Sequence, residues 1–204
     1  MVHIIDYGVG NIQAFLNVYK KLGIQCIRAK NATQLESATH LILPGVGSFD
    51  HAMLKFKNSG MCDKVKDLVF NEKVPLLGIC VGMQMLASSS EEGKEPGLNW
   101  IPGTVRSFRT SSYSKNLPMP HMGWNDVSCV KESKLFTDFT EEPLFYFLHS
   151  FYFKCDFHEN SLAKAEYGFT FDCIVSSGNI YGVQCHPEKS HKHGTLLLKN
   201  FAEL

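Results

Sequence analysis

The strongest chemical signal in the sequence is a cysteine between two glycines, in the order Gly78-Ile79-Cys80-Val81-Gly82. It lies between a predicted strand and the predicted start of a helix. The pattern follows the logic of the G-x-S-x-G turn, which lifts a nucleophile clear of a sheet edge, and the glycines permit a tight turn that a Cβ would obstruct. An adjoining helix N-terminus would favour the thiolate. The pattern predicts a nucleophilic thiol, with a buried core thiol as the alternative.

A second signal lies near the end of the chain, where His186-Pro187-Glu188 follows an apolar run. A thiol nucleophile needs a base to accept its proton, and the base needs an acceptor that orients it. In extended backbone, side chains two residues apart point to one face, so His186 and Glu188 would share a face, and Pro187 would end the strand. A lone histidine is more often structural. Together with the cysteine turn, the pattern favours a triad of Cys80, His186 and Glu188.

A glycine-rich stretch, Pro44-Gly45-Val46-Gly47, follows a third predicted strand. Glycines let the backbone approach a ligand and aim N–H groups at it. The N–H of Val46 or Gly47, together with that of Val81, would then stabilise an oxyanion. The alternative is an ordinary turn. All three signals follow the carboxyl ends of strands, which is where open α/β sheets place their sites.

The elements that must position these residues alternate along the first half of the chain. Apolar runs at 2–6, 24–28, 40–43 and 75–79 predict strands, and helical spacing from Asn11 and over 50–57 and 61–71 predicts helices. This order predicts an α/β fold: an open, mostly parallel twisted sheet with helices on both faces, flavodoxin-like. Later runs at 104–108, 145–148, 162–167, 173–177 and 180–184 predict added antiparallel strands. Residues 111–120 predict a loop and 195–202 a closing helix.

Bulk composition limits the classes of function. The 204 residues predict one domain over 1–204, and 20 basic residues balance 20 acidic ones, which argues against nucleic acid or a membrane surface as partner. The seven cysteines are odd in number and show no CxxC pair, so we expect neither a disulfide framework nor a zinc site, and no metal elsewhere. Reduced thiols predict a cytoplasmic protein.

Six stretches together resemble a known family. GICVGMQ at 78–84 and HPEKS at 186–190 resemble the class I glutamine amidotransferases. DYGVGN at 6–11, PGVGSFD at 44–50, PHMGWN at 120–125 and HSFYF at 149–153 are similar to the glutaminase subunits of imidazole glycerol phosphate synthases. The resemblance covers nearly the whole chain and implies the class I glutaminase fold.

The resemblance also implies a reaction and a substrate site. Cys80 would attack the side-chain carbonyl of L-glutamine and form a thioester, while His186, oriented by Glu188, would move the protons. No cofactor and no metal are implied. The residues that would contact glutamine are Gln84, Glu92, His149, Ser150 and Phe151.

The implied partner is a TIM-barrel synthase subunit, bound as a heterodimer, which receives the ammonia for histidine biosynthesis. Trp124, one of two tryptophans, would lie at the interface with Pro120, Met122 and Asn11, since tryptophan is enriched at interface hot spots. A core position for Trp124 is the alternative. Three other functions stay open: a related barrel partner that aminates a sugar for cell-surface polysaccharide, a stand-alone cysteine hydrolase, and a non-catalytic regulatory protein.

Overall fold

The computed structural model describes residues 1–110 and 117–204, so the predicted loop at 111–120 lies partly outside the described residues. Strands and helices alternate in the first half, as predicted. The strands are β1 (Val2–Ile5), β2 (Cys26–Ala29), β3 (His40–Gly45), β4 (Leu76–Cys80), β5 (Ser89–Ser90), β6 (Gly103–Ser107), β7 (His121–Asp126), β8 (Ser128–Cys129), β9 (Leu144–His149), β10 (Phe151–Cys155), β11 (Ser161–Glu166), β12 (Thr170–Ser177) and β13 (Ile180–Val183). The α-helices are α1 (Ile12–Leu22), α2 (Phe49–Asn58), α3 (Cys62–Phe70), α4 (Val81–Gln84) and α5 (His191–Ala202).

A parallel half-sheet forms the centre of the molecule, in the strand order β2-β1-β3-β4-β13. Leu41, Ile42 and Leu43 on β3 have no exposed surface. Strands of a parallel sheet that are covered on both faces have such continuous apolar runs, because both side-chain directions meet helices. The predicted parallel sheet is therefore confirmed.

Antiparallel strands extend this sheet, also as predicted. Strand β13 pairs with β12, and β12 pairs with β10 and β11. Residues 178 and 179 form the hairpin turn between β12 and β13, where Gly178 has a φ of +59°. The described part of the sheet ends with β6 and β5 on one path and with β8 beside β11.

The structure corrects two sequence predictions. Strand β9 does not join the main sheet; it pairs with β7, which was not predicted, in a separate two-stranded sheet that we call the β7–β9 ribbon. Helix α5 begins at His191 rather than at 195, and Gly194 lies inside it. A Cβ at Gly194 would come within 1.9 Å of the Pro187 carbonyl oxygen, so this glycine permits close packing. In the described ranges, no helix has the length and apolar character needed to cross a bilayer.

Candidate active site

Cys80 is the last residue of β4 and has a left-handed backbone, with φ +55° and ψ −113°. Such a conformation is rare for residues other than glycine and is concentrated at functional sites. The flanking glycines have the expected steric role, because a Cβ at Gly82 would lie 1.9 Å from the Leu43 carbonyl oxygen and a Cβ at Gly78 would lie 2.6 Å from that of Gly82. The turn is therefore packed tightly against β3.

Helix α4 begins directly after this turn, where the sequence predicted the start of a helix, and its α-helical part spans only four residues, Val81–Gln84. The dipole that acts on the Cys80 sulfur is therefore that of a single turn. The N–H of Val81 is the first of the helix and has no acceptor within it. It remains a suitable donor to an oxyanion at Cys80.

His186 and Glu188 lie together, but not for the reason predicted. Pro187–Lys189 form a 3₁₀ turn rather than continuing the strand, so the alternation of extended backbone does not apply. Nδ1 of His186 is 2.9 Å from Oε1 of Glu188, and both side chains are almost fully buried. The His186 backbone N–H donates to the Tyr146 carbonyl at 2.8 Å, which ties this turn to the ribbon.

The electrostatics of His186 favour its charged form. Burial lowers the pKa of His186, but hydrogen bonds to Cys80 and Glu188 and the negative charges of these groups raise it to about 10. At neutral pH the ring is then an imidazolium, which lies at the same cavity as Cys80 and is suited to act as a proton donor there. Burial raises the pKa of two further buried thiols, Cys173 and Cys185.

A cavity of about 300 Å³ opens over the Cys80 turn. Glu188 lies behind His186 and outside the cavity lining. All of the predicted oxyanion and glutamine-binding residues line this cavity, which is formed by Val46, Gly47, Cys80, Val81, Gln84, Glu92, Pro120, Leu148, His149, Ser150, Phe151, His186 and Lys189. A larger open groove of about 1050 Å³ is lined by residues from 127 to 143, none of which belongs to the predicted site.

The Pro44–Gly47 loop is held against the cavity by its neighbours. The Tyr7 hydroxyl donates to the Pro44 carbonyl at 2.6 Å. Gly47 has a φ of +91°, in the region that favours glycine. Gly45 packs against Gly82, where a Cβ would come within 2.4 Å of the backbone nitrogen. Pro44 and Gly45 are therefore fixed by their neighbours, and Gly47 supplies the backbone conformation that other residues rarely adopt.

Two polar side chains at the cavity are fixed by hydrogen bonds. Gln84 donates to the Phe151 carbonyl at 3.2 Å and to Oε1 of Gln184 at 3.0 Å. Glu92 accepts the Phe49 backbone N–H at 3.0 Å. Burial raises the pKa of Glu92, and the Phe49 bond partly offsets this effect.

Sequence reasoning missed two residues at the site. Gln184 is fully buried, and its Nε2 lies 3.8 Å from the Cys80 sulfur. Lys189 lines the cavity, and its Nζ lies 5.6 Å from the centre of the Tyr146 ring. Gln184 is two residues before His186 in the sequence and Lys189 is three residues after it. This proximity to the predicted base could have indicated that both lie at the site.

The predicted interface residues are exposed or line the cavity mouth. Met122 is 65% exposed and Trp124 is 45% exposed, which excludes a core position for Trp124 in this chain. Trp124 stacks on His191 with ring centres 5.1 Å apart. Pro120 lines the cavity, and Asn11 is exposed at the N-terminus of α1, where its side chain accepts the Ala14 N–H. Their interface role stays a prediction.

The fold and the cysteine site define a class of amidotransferase, and residues 3–204 match the family model of glutamine amidotransferase class-I. The chain belongs to this family. A Bdellovibrio bacteriovorus protein named imidazole glycerol phosphate synthase subunit HisH is 55% identical over 204 residues, which is 100% of both chains. A Leptospira interrogans protein of the same name is 48% identical over the same coverage. Within the class, the chain belongs with these HisH subunits.

Solved structures agree on the fold. A crystal structure described as a glutamine amidotransferase superposes with a TM-score of 0.77 at 20% identity, covering 99% of this chain and 97% of the other. A structure of PurLQS from Thermotoga maritima gives 0.74 at 15% identity with the same coverage. These similarities concern the fold alone. The names of the relatives give no support to the alternative functions left open by the sequence.

Proposed function

We propose that this chain is the glutaminase subunit of an imidazole glycerol phosphate synthase. As one domain over residues 1–204, it hydrolyses L-glutamine in the cytoplasm and delivers ammonia to a TIM-barrel synthase subunit in a heterodimer, for histidine biosynthesis. The observation that carries the proposal is the Cys80 sulfur in a left-handed strand-to-helix turn, lining the same cavity as a buried His186 that Glu188 holds at 2.9 Å.

The first half of the reaction forms a thioester. The Cys80 thiolate attacks the side-chain amide carbon of glutamine, and the carbonyl oxygen becomes an oxyanion. The N–H groups of Val81 and of Val46 or Gly47 stabilise this oxyanion, and losing one such donor typically costs about a hundred- to a thousandfold in rate. His186 gives its proton to the amide nitrogen, the C–N bond breaks, and ammonia leaves.

The second half regenerates the enzyme. The now neutral His186 takes a proton from a water molecule, and the hydroxide adds to the thioester carbon. The resulting oxyanion collapses, the C–S bond breaks, and glutamate leaves with Cys80 again a thiolate beside the imidazolium. Glu188 keeps the ring oriented throughout and stabilises its charged form whenever it carries the proton, because it accepts from Nδ1 and leaves the other ring nitrogen for the proton transfers.

The cavity has the size and polarity for an amino-acid substrate. Its volume of about 300 Å³ lies at the small end of ligand sites. Glu92 presents a carboxylate suited to an α-ammonium group, and the backbone from His149 to Phe151 supplies donors and acceptors opposite Cys80. We assign Gln84 to the same subsite, where it shapes the wall through its bond to the Phe151 carbonyl.

Selective trapping of Cys80 tests the proposal. A chloroketone analogue of glutamine, added to the complex with its synthase partner, should alkylate Cys80 in preference to Cys129. Cys129 is exposed whereas Cys80 is 4% exposed, so unspecific alkylation would give the opposite order. Mass spectrometry of the peptides, with and without competing glutamine, measures the extent of labelling at each of the two cysteines. Labelling that follows exposure and ignores glutamine would contradict the proposal.

A further inference from the structure

The β7–β9 ribbon has an outer face with exposed apolar side chains and an inner face with two buried histidines. His121 on β7 and His149 on β9 are directly opposite each other in the register, and they are 4% and 6% exposed. Met122 and Trp124 alternate with the inner-face residues on β7 and are exposed. One strand thus carries both the predicted partner contacts and a buried histidine that the reaction does not use.

The hydrogen bonds around these histidines fix one proton arrangement. Nδ1 of His149 is 2.7 Å from the Phe151 carbonyl oxygen, which can only accept, so Nδ1 carries the hydrogen. Nε2 of a neutral His149 is then an acceptor, and Nδ1 of His121 donates to it at 3.0 Å. Nε2 of His121 accepts from Asn125 at 3.3 Å, and the same amide donates to the Glu166 carbonyl at 2.8 Å.

Both rings stay neutral, which the arrangement requires. Burial lowers the pKa of His121 to about 4. Burial also lowers the pKa of His149, to about 3, and outweighs the opposing effect of the Phe151 hydrogen bond. The direction of donation therefore runs from Asn125 through His121 and His149 to the Phe151 carbonyl.

The end of this chain of hydrogen bonds lies in the substrate cavity. Ser150 is the single residue between β9 and β10, where the backbone leaves the ribbon and joins the main sheet. The His149 side chain bridges this point by bonding to the carbonyl two residues further on, and Gln84 donates to the same oxygen. His149, Ser150 and Phe151 all line the cavity. The shape of this wall depends on the orientation of the His149 ring.

We propose that His121 is a positioning residue for glutamine binding: by donating to Nε2 of His149, it holds the backbone from His149 to Phe151 in the shape that accepts the substrate. The inference rests on the function proposed above. His121 contacts no reacting atom, so its effect reaches the substrate through His149. Because His121 is on the same strand as Met122 and Trp124, displacement of β7 by the partner would alter the same hydrogen bond.

Two substitutions separate the hydrogen bond from the aromatic packing of His121, which stacks on Tyr167 at 4.1 Å and on Phe147 at 5.1 Å between ring centres. His121→Phe keeps a ring in the stack and removes the donor. His121→Asn keeps an amide N–H near the Nδ1 position and removes the ring. In the complex with the synthase, we expect His121→Phe to raise KM for glutamine about tenfold, with kcat changed less than about twofold, and His121→Asn to restore most of the lost affinity.

Two controls accompany these variants. His3→Phe replaces a fully buried histidine on β1, in the main sheet rather than in the ribbon, and should leave KM unchanged. Alkylation of Cys80 by iodoacetamide, which needs the thiolate but not the glutamine subsite, should be equal in His121→Phe and in the wild type. If the wild-type complex itself showed neither alkylation of Cys80 nor hydrolysis of glutamine, the proposed function would be contradicted.

Other outcomes would overturn the positioning role alone. One such outcome is a wild-type KM for glutamine in His121→Phe. Another is a KM in His121→Asn that is raised as much as in His121→Phe, because the loss of ring packing would then be the cause. Independently of activity, ¹⁵N NMR of the wild-type complex should show His149 protonated at Nδ1 and unprotonated at Nε2. The opposite tautomer would contradict the proposed direction of donation.

Discussion

The charge of His186 depends on its two neighbours, whose combined effect exceeds that of burial. Burial alone would lower the pKa of this ring, whereas the bonds to Cys80 and Glu188 raise it from 6.5 to about 10. A group whose pKa is raised in the folded state stabilises the fold below its unfolded pKa. This contribution is therefore complete below about pH 6.5 and is lost as the pH rises through about 10.

Replacing Glu188 with glutamine should lower the pKa of His186. The amide oxygen can still accept from Nδ1, but the negative charge is gone, so the imidazolium loses part of its stabilisation. Oε2 of Glu188 is buried with no hydrogen-bond partner among the described residues, so the new amide group adds an unpaired donor there. NMR titration of the His186 ring measures the shift, and unfolding between pH 6.5 and 10 should depend less on pH than in the wild type.

Glu72→Gln is the matched control for this change, because Glu72 is about half exposed and pairs with Lys64 at 3.5 Å. It should leave the titration of His186 unchanged. An unaltered His186 pKa in Glu188→Gln would contradict the role given to the Glu188 charge.

Among the elements of the fold, β4, α4 and β3 determine the shape of the Cys80 turn. They approach each other more closely than a Cβ atom at the contact would allow. Gly82→Ala should destabilise the protein by about 4 kcal/mol or more, since the new Cβ would overlap the Leu43 carbonyl oxygen. Chemical denaturation measures this loss, and the rate of Cys80 alkylation should fall with it.

Gly60→Ala is the comparison for that substitution. Gly60 also has an unusual backbone, with φ +73°, but open space around it. The free energy of unfolding should fall only by the cost of placing a Cβ on a left-handed backbone, about 1–2 kcal/mol. Alkylation of Cys80 should be unchanged. Equal losses in the two variants would mean that close approach at Gly82 is not what shapes the turn.

The ribbon is the element that we expect to meet the synthase. Trp124→Ala should raise the Kd of the heterodimer about 30-fold, because truncation of a central interface tryptophan typically costs about 2 kcal/mol or more. Calorimetric titration measures the Kd. Phe157→Ala removes another exposed aromatic side chain, 53% exposed and outside the ribbon, and should leave the Kd unchanged. An unchanged Kd for Trp124→Ala would place the interface elsewhere.

The sequence predicts the parallel half of the fold well, because strands such as β3 and β4 are continuous apolar runs with helical segments between them. It fails for the ribbon. Strand β7 contains Gly123 with a φ of +137° and has a polar or small residue at most positions, so its pattern resembles a loop. The 3₁₀ turn at Pro187 was also missed, because a proline after a strand equally suits a simple strand end.

At the scale of the whole molecule, the sheet brings together residues that are far apart in the sequence. Cys80 ends β4, Gly45 ends β3, and His186 follows β13, and these three strands are parallel neighbours. Their carboxyl ends therefore meet at one edge, which is why strand-end motifs alone predict the triad. The hydrogen bond between His121 and His149 is different. It depends on the pairing of two strands whose histidines are 28 positions apart in the sequence, and no local pattern encodes that register.

The central claim is that Cys80 makes ammonia from glutamine for use by the partner. The most direct measurement compares two activities of the heterodimer that contains Cys80→Ala: synthesis with glutamine and synthesis with free ammonium salt. We expect the glutamine-dependent activity to disappear and the ammonia-dependent activity to stay at the wild-type level. If both activities fell together, or if glutamine still supported synthesis, Cys80 would not be the nucleophile and the account would be wrong.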